Sequence, residues 1–384
     1  MSLFSRDKPK TDNGIVIQSE RSAPFIPYNF GTDIYEKNLY DSLRFSVPII
    51  DAALSKIVRL TGGYSVKCDN PDFQHELDYF VENVPCGLSA KSLHAFTDAY
   101  LDSLITYGNA VAEMVIDENT MQISGLFNGN ICNIDVKSGN SPFERVFFIK
   151  NEDGSLYKLP HPERIMFSAL NPPENQIYGR SLLRGLPCLS SVLMRIYECI
   201  GQNYDRMGNV RYAVTYHPSG DIQDKALAKE RAMQIAKEWS EGMNSSRNGT
   251  VKDFIAVGDV DIKVIGAENQ LIDTNIPVRQ LLEQITSKLS IPPFLLGLSW
   301  SSTERMSSQQ ADILTSELEY YRRLITPIIK QIASAFMRLN GIDSDVSVIW
   351  DNINLQDEAQ LAEARLKNAQ AEEIELRNQK NLNL

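Results

Sequence analysis

Two helical stretches with a small strand-rich unit between them constrain this chain more than any other feature. Residues 181–207 carry Leu182, Leu186, Leu189, Leu193, Ile196, Tyr197, Ile200 and Tyr204 at helical spacing. At 1.5 Å per residue such a run spans roughly 40 Å. Pro187 either bends it or marks its start, and Gly208-Asn209 closes it. A second helix, expected over 276–291, follows Asn275, holds Pro277 in its first turn and lines up Leu281, Leu282, Ile285 and Leu289. Between the two helices, VRYAVTYHP reads as a strand and 223–241 as a helix with Leu227, Ile235, Ala236 and Trp239 inward. VKDFIAVG and VDIKVIG read as a strand pair joined at Gly258-Asp259. The unit over 209–267 is therefore a small α/β insertion.

The second helix runs into KLSIPPFLLGLSWSSTERMSSQQ, residues 288–310. Pro292-Pro293 stops it, and a mostly polar stretch follows before Ser307 and Gln310 offer a capping box for the next helix. A loop that only turned a corner needs fewer residues. The third helix is expected to 339 with Pro327 inside it, a placement that costs about 3 kcal/mol unless it bends the helix usefully. VSVIWDNI then reads as a strand. The closing segment, 354–384, is rich in Ala, Glu, Leu and Arg, with too few apolar positions for a core of its own.

Upstream, residues 1–30 read as a flexible arm. A helix is expected from a Ser46 cap with Pro48 in its first turn, ending at Gly62-Gly63, followed by the strand YSVKCD. Further helices are expected over about 72–83 and from near Ser89 to Tyr107, with Gly108 as the stop. Residues 110–168 switch to short β-branched and aromatic runs, with Asn128-Gly129 and Asp153-Gly154 as hairpin turns. The region reads as antiparallel β, so the fold class is α+β.

Several chemistries are excluded by what the sequence lacks. It has no G-x-x-x-x-G-K-[ST] phosphate loop, no G-x-G-x-x-G after a strand and no G-x-S-x-G elbow. HELDYF at 75–80 lacks the second histidine of a zinc helix, and His75, His94, His161 and His217 lie in separate elements. The acidic turn NEDGSLYKL lacks the remaining ligands of a calcium loop. The expectation is no catalytic residue, no metal and no cofactor. Five dispersed cysteines without a C-x-x-C pair read as reduced, buried thiols. No apolar run reaches the roughly 18 residues of a membrane span, and the basic start has no apolar signal core. With 49 acidic against 38 basic residues, the net charge of −11 argues against tight static DNA binding, which depends on neutralising phosphates.

YGNAVAEM at 107–114, NQIYGRSLL at 175–183 and the block ENQLIDTNIPVRQLLEQITSKLSIPPFLLG at 268–297, in this order and followed by the Ser-rich start of a proline-containing helix, resemble the portal proteins of tailed bacteriophages. The resemblance covers about 40–350. It implies a ring, usually of twelve copies, at one capsid vertex, through which viral double-stranded DNA is packaged and ejected. By that resemblance residues 31–174 and 307–353 form the wing, 175–208 and 268–291 the two stem helices, 209–267 the clip and 354–384 a short crown. The clip would meet the terminase large subunit and later the tail adaptor, beside major capsid and scaffold proteins. The subunit would reside in the virion after assembly in the host cytoplasm. Residues 292–306 would be a tunnel loop facing DNA through Leu298, Ser299, Trp300, Ser301, Ser302, Thr303, Glu304 and Arg305. For Leu298 and Trp300, packing against a neighbouring subunit is the favoured reading. Arg195 and Arg206 would be further channel contacts or intersubunit ion pairs. The alternative is another head-completion or minor capsid protein.

Overall fold

The structure, a computed structural model, describes residues 34–141, 143–151, 153–208, 211–217, 227, 229–230, 232–237, 260–265, 273–298 and 304–353. Helix α1 (Ile34–Ser46) runs almost directly into α2 (Pro48–Thr61). Ser46 is not the cap of α2. It ends α1, and the buried Val47 holds the capping position without a side-chain acceptor. Backbone bonds carry the join instead: the Val47 amide donates to Leu43 O and the Ile50 amide to Val47 O.

Strand β1 (Tyr64–Cys68) leads through a 3-10 turn, Pro71–Phe73, into α3 (Gln74–Asn83). The helix expected from Ser89 begins later, as α4 (Leu93–Tyr107), because β2 (Pro85–Cys86) and β3 (Ala90–Lys91) pair ahead of it. Ser92 caps α4 by accepting from the Ala95 amide at 3.1 Å, and Gly108, at φ 76°, ends it as the sequence predicts.

The β region divides into two sheets. Strands β4 (Asn109–Asp117), β5 (Gln122–Gly129) and β9 (Ile165–Ala169) join β2 and β3 in the order β3-β2-β5-β4-β9, antiparallel except for the β2–β5 pair. Strands β6 (Ile134–Ser138), β7 (Arg145–Lys150) and β8 (Leu156–Lys158) form an antiparallel sheet of their own. Asp153-Gly154 lies in the turn between β7 and β8, with Gly154 at φ 82°. Asn128-Gly129 makes no hairpin turn; these residues close β5, opposite Ala112 and Val111. The β4–β5 turn is made at 118–121, where Asp117 Oδ1 accepts from the Asn119 amide at 2.9 Å.

Helix α5 (Leu186–Gly208) starts with Pro187 in its first turn, so this proline marks the start and does not bend a longer helix. Strand β10 (Arg211–Tyr216) pairs antiparallel with β11 (Val260–Ile265). VKDFIAVG at 251–258, expected to pair with VDIKVIG, lies outside the described residues, as does Trp239. Of the residues expected inward on the intervening helix, Leu227 and Ala236 are exposed and Ile235 is half-buried. Helix α6 (Asn275–Lys288), a 3-10 turn at Pro293–Leu296 and α7 (Glu304–Leu339) follow, and β12 (Val346–Trp350) completes the described chain.

One apolar core unites α1, α2, α4, the base of α5, α6 and α7, with Ile50, Leu54, Phe96, Leu104, Leu186, Ile285, Leu318 and Ile329 among its buried members. Burying each such side chain contributes about 1.5–3 kcal/mol. A smaller core of Val111, Ile131, Val136, Phe147, Ile165 and Phe167 joins the two sheets. Strand β12 returns to pair with β1, Tyr64 opposite Trp350. The thiols are less buried than expected. Cys86 is inside, Cys68, Cys132 and Cys188 are half-buried, Cys199 is exposed, and none of the five is in a disulfide.

Candidate functional site

The base of α5 is fixed where the first two family-like sequence segments cross. Leu170 N donates to Gly108 O at 2.8 Å, and Arg180 N donates to Leu170 O at 2.7 Å. The Gly179 amide donates to Asn109 Oδ1 at 2.8 Å, Ser181 Oγ to Thr106 O at 2.5 Å, and Leu182 N to Ile105 O at 3.1 Å. Asn109 and Ser181 are buried. A Cβ on Gly179 would run into the carbonyl of Gly108 and the backbone of Leu170, which cannot step aside. Tyr178 extends the crossing to β6: its hydroxyl donates to Asp135 Oδ1 at 3.0 Å and accepts from the Val136 amide at 2.7 Å. Burial of this phenol, with Asp135 beside it, pushes its pKa up to about 12.

The segment read as a single loop, 292–306, is partly regular. Leu289 and Ser290 turn the chain after α6, Ser290 at φ 54°. Pro292 then leads the 3-10 turn, which Gly297 ends in the left-handed region at φ 77°, a sharp reversal of the kind expected there. Leu295, Leu296 and Leu298 pack against the main core, and the Leu298 amide donates to Pro293 O at 3.0 Å. Helix α7 is already running at Glu304, so Ser307 and Gln310 sit inside it and do not cap it. Ser299, Trp300, Ser301, Ser302 and Thr303 lie outside the described residues, as do the side chains of Glu304, Arg305 and Arg206. Arg195 is exposed on α5.

Two adjoining hollows open where the base of α5 meets the C-terminal half of α6. The smaller, about 450 Å³, lies among Leu170, Asn171, Arg180, Ser181, Leu182, Arg184 and Lys288. The larger, about 710 Å³, shares Arg184 and Lys288 and continues along Gln280, Gln284 and Ser287. The acid on its wall, Glu283, is held by Arg279 at 2.9 Å. Sequence reasoning passed over these cations because Arg180 and Arg184 lie before α5 and Lys288 on a different helix. Only the folded chain brings them together.

A separate knot ties α7 to the rest. Arg322 is 3% exposed; its Nε donates to Thr61 O at 2.8 Å, its Nη1 meets Glu319 Oε1 at 3.1 Å, and its guanidinium lies 5.0 Å from the Trp350 ring centre. The carbonyl it reaches is in the last turn of α2, so one buried cation serves α2, α7 and β12 together. Among the described residues no group of His, Cys, Asp and Glu has the arrangement to hold a metal ion. Nor is any helix among them long and apolar enough to cross a membrane.

No family model and no curated protein matches this sequence. Solved structures do. A chain in the neck of a native gene transfer agent particle computed with C12 symmetry has a TM-score of 0.60 at 16% identity, covering 85% of this chain and 87% of that one. A chain in the virion of a native gene transfer agent particle has a TM-score of 0.61 at 14% identity, covering 88% of each. The chain has the fold of these particle subunits. An HK97-family phage portal protein from Corynebacterium diphtheriae has a TM-score of 0.44 at 12% identity, covering 84% of this chain and 96% of that one. The α+β class expected from the sequence is borne out, in the fold shared with the subunits of the gene transfer agent particles.

Proposed function

We propose that this chain is a portal: a non-enzymatic virion subunit that closes into a ring, with twelve copies the expected number, around a channel for viral double-stranded DNA. The observation that carries this reading is the fold shared over 85% of the chain with a subunit of a particle neck computed with C12 symmetry. In the ring, residues 31–174 and 307–353 form the wing, closed by the β1–β12 pair. Helices α5 and α6, within 175–208 and 268–291, form the stem, and 209–267 forms the clip. Residues 292–306 face the channel and 354–384 form the crown. The clip docks the terminase large subunit during packaging and the tail adaptor afterwards, while the wing meets capsid and scaffold proteins during assembly in the host cytoplasm. A surface with an acidic excess suits a conduit, because a wall of cations would hold each phosphate and brake the duplex.

Native mass spectrometry and electron microscopy of the purified chain test the reading. The expected result is a closed ring with an open channel wider than a duplex. A strictly monomeric species at every concentration and salt tried would overturn it.

A further inference from the structure

We propose that the trough between the base of α5 and α6 is a phosphate-backbone site for nucleic acid, with Arg180, Arg184 and Lys288 as its cations and Gln280, Gln284 and Ser287 as its neutral hydrogen-bonding groups. The proposal rests on the channel reading above, since that reading brings DNA to the stem.

Electrostatics make the cluster anomalous. In a chain of net charge −11, three exposed cations line two joined hollows, and the carboxylate on the wall is committed to Arg279. Arg184 also stands two residues ahead of the first residue of α5, beside the positive end of its dipole, where a carboxylate would be the stabilising choice. Lys288 suits the C-terminal end of its own helix, yet it lines the same hollows as Arg184. An anion arriving in the trough relieves all of this together.

The shape favours a phosphodiester backbone over a single carboxylate from another copy of the chain. Gln280, Gln284 and Ser287 recur at helical spacing along one face of α6, so with Lys288 the polar wall extends about 12 Å at 1.5 Å per residue. One carboxylate fills one end of such a wall. Successive phosphates use its length, and amides and hydroxyls are ordinary partners of phosphate oxygens. Three cations per copy make a local patch in an otherwise acidic chain, not a continuous cationic wall, and the number of phosphates they neutralise sets the salt dependence of binding.

The experiment compares the assembled wild-type protein with Arg184→Gln/Lys288→Gln, and with Lys330→Gln as an exposed-cation control on α7. Binding of a short DNA duplex is followed by fluorescence anisotropy over a salt series, and native mass spectra are taken on the same samples. The expected result is roughly tenfold weaker binding by the double variant, with the salt slope falling by about 0.9 for each phosphate no longer neutralised, while Lys330→Gln keeps wild-type values and all rings keep their mass. Unchanged affinity and slope in intact rings overturn the site. Loss of rings with DNA affinity unchanged also overturns it, and assigns the trough to a carboxylate of a second copy. A wild type that never forms rings, yet loses its salt slope on substitution, upholds the site and sinks the ring reading.

Discussion

At the scale of single residues, two positions carry more than their size implies. Replacing Arg322 with Met keeps the apolar stem but strands the Thr61 carbonyl and removes the cation from the Trp350 ring. An unsatisfied buried carbonyl costs about 1–3 kcal/mol. The expected loss in denaturant unfolding is therefore about 2–4 kcal/mol once the ring interaction is added. Glu319→Gln, at the half-exposed partner, should cost under about 1 kcal/mol. Equal effects from the two substitutions would remove Arg322 from its assigned role. Gly179 is the second position. Gly179→Ala forces a Cβ into the Gly108 and Leu170 backbones, and about 3 kcal/mol or more of destabilisation is expected, read as a lower midpoint or as insoluble protein.

Elements tell a different story about glycine. Gly201 lies inside α5 with nothing within 4 Å of an added Cβ. Gly201→Ala should stabilise the helix by about 0.5–1 kcal/mol, the opposite sign to Gly179→Ala, and circular dichroism against denaturant separates the two. Helix α7 remains one continuous element through Pro327. Thr326 Oγ1 donates to Arg322 O at 2.6 Å and accepts from Trp350 Nε1 at 3.0 Å, so β12 is bonded to the helix one residue ahead of the proline. The strongly periodic helices were legible in the sequence because an apolar stripe has one economical burial. Their starts were less so. Ser46 and Ser307 both have capping chemistry, yet each lies within a helix, where backbone continuity and packing of the neighbouring turn outweigh one side-chain acceptor. Asn128-Gly129 lost its turn in the same way: β5 pairs through it, while Asp117 makes the local turn earlier.

Across the whole molecule, phenols are distributed through the packing of several elements, and their titration reports on all of it. Burial raises the pKa of Tyr64, Tyr100 and Tyr321 above the ordinary phenol value, and Tyr178 reaches about 12. A group whose pKa is raised by folding stabilises the native state while it stays protonated in both states. That contribution is complete below about pH 10, the unfolded value, and is lost as pH climbs toward the folded values. The chain should therefore unfold cooperatively in alkali, with tyrosinate absorbance appearing together with loss of the circular dichroism signal. Phenols ionising well before the fold is lost would contradict the burial assigned to them.

Helix α6 ends at Lys288 and the chain turns at Ser290, ahead of the stop expected at Pro292-Pro293. Residue order alone made legible the α+β class, the periodic helices α5 and α6 and the sharp turn at Gly297. Each of these depends on local periodicity or on backbone geometry that neighbouring residues impose. The order of those parts also carried the likeness to portals. Folding in three dimensions brings Gly108 and Gly179 backbone to backbone, lets Arg322 hold three elements together, and sets Arg180, Arg184 and Lys288 around one trough. Those relations join residues far apart in the chain, and their energies depend on distance, burial and charge in three dimensions, which no local pattern encodes.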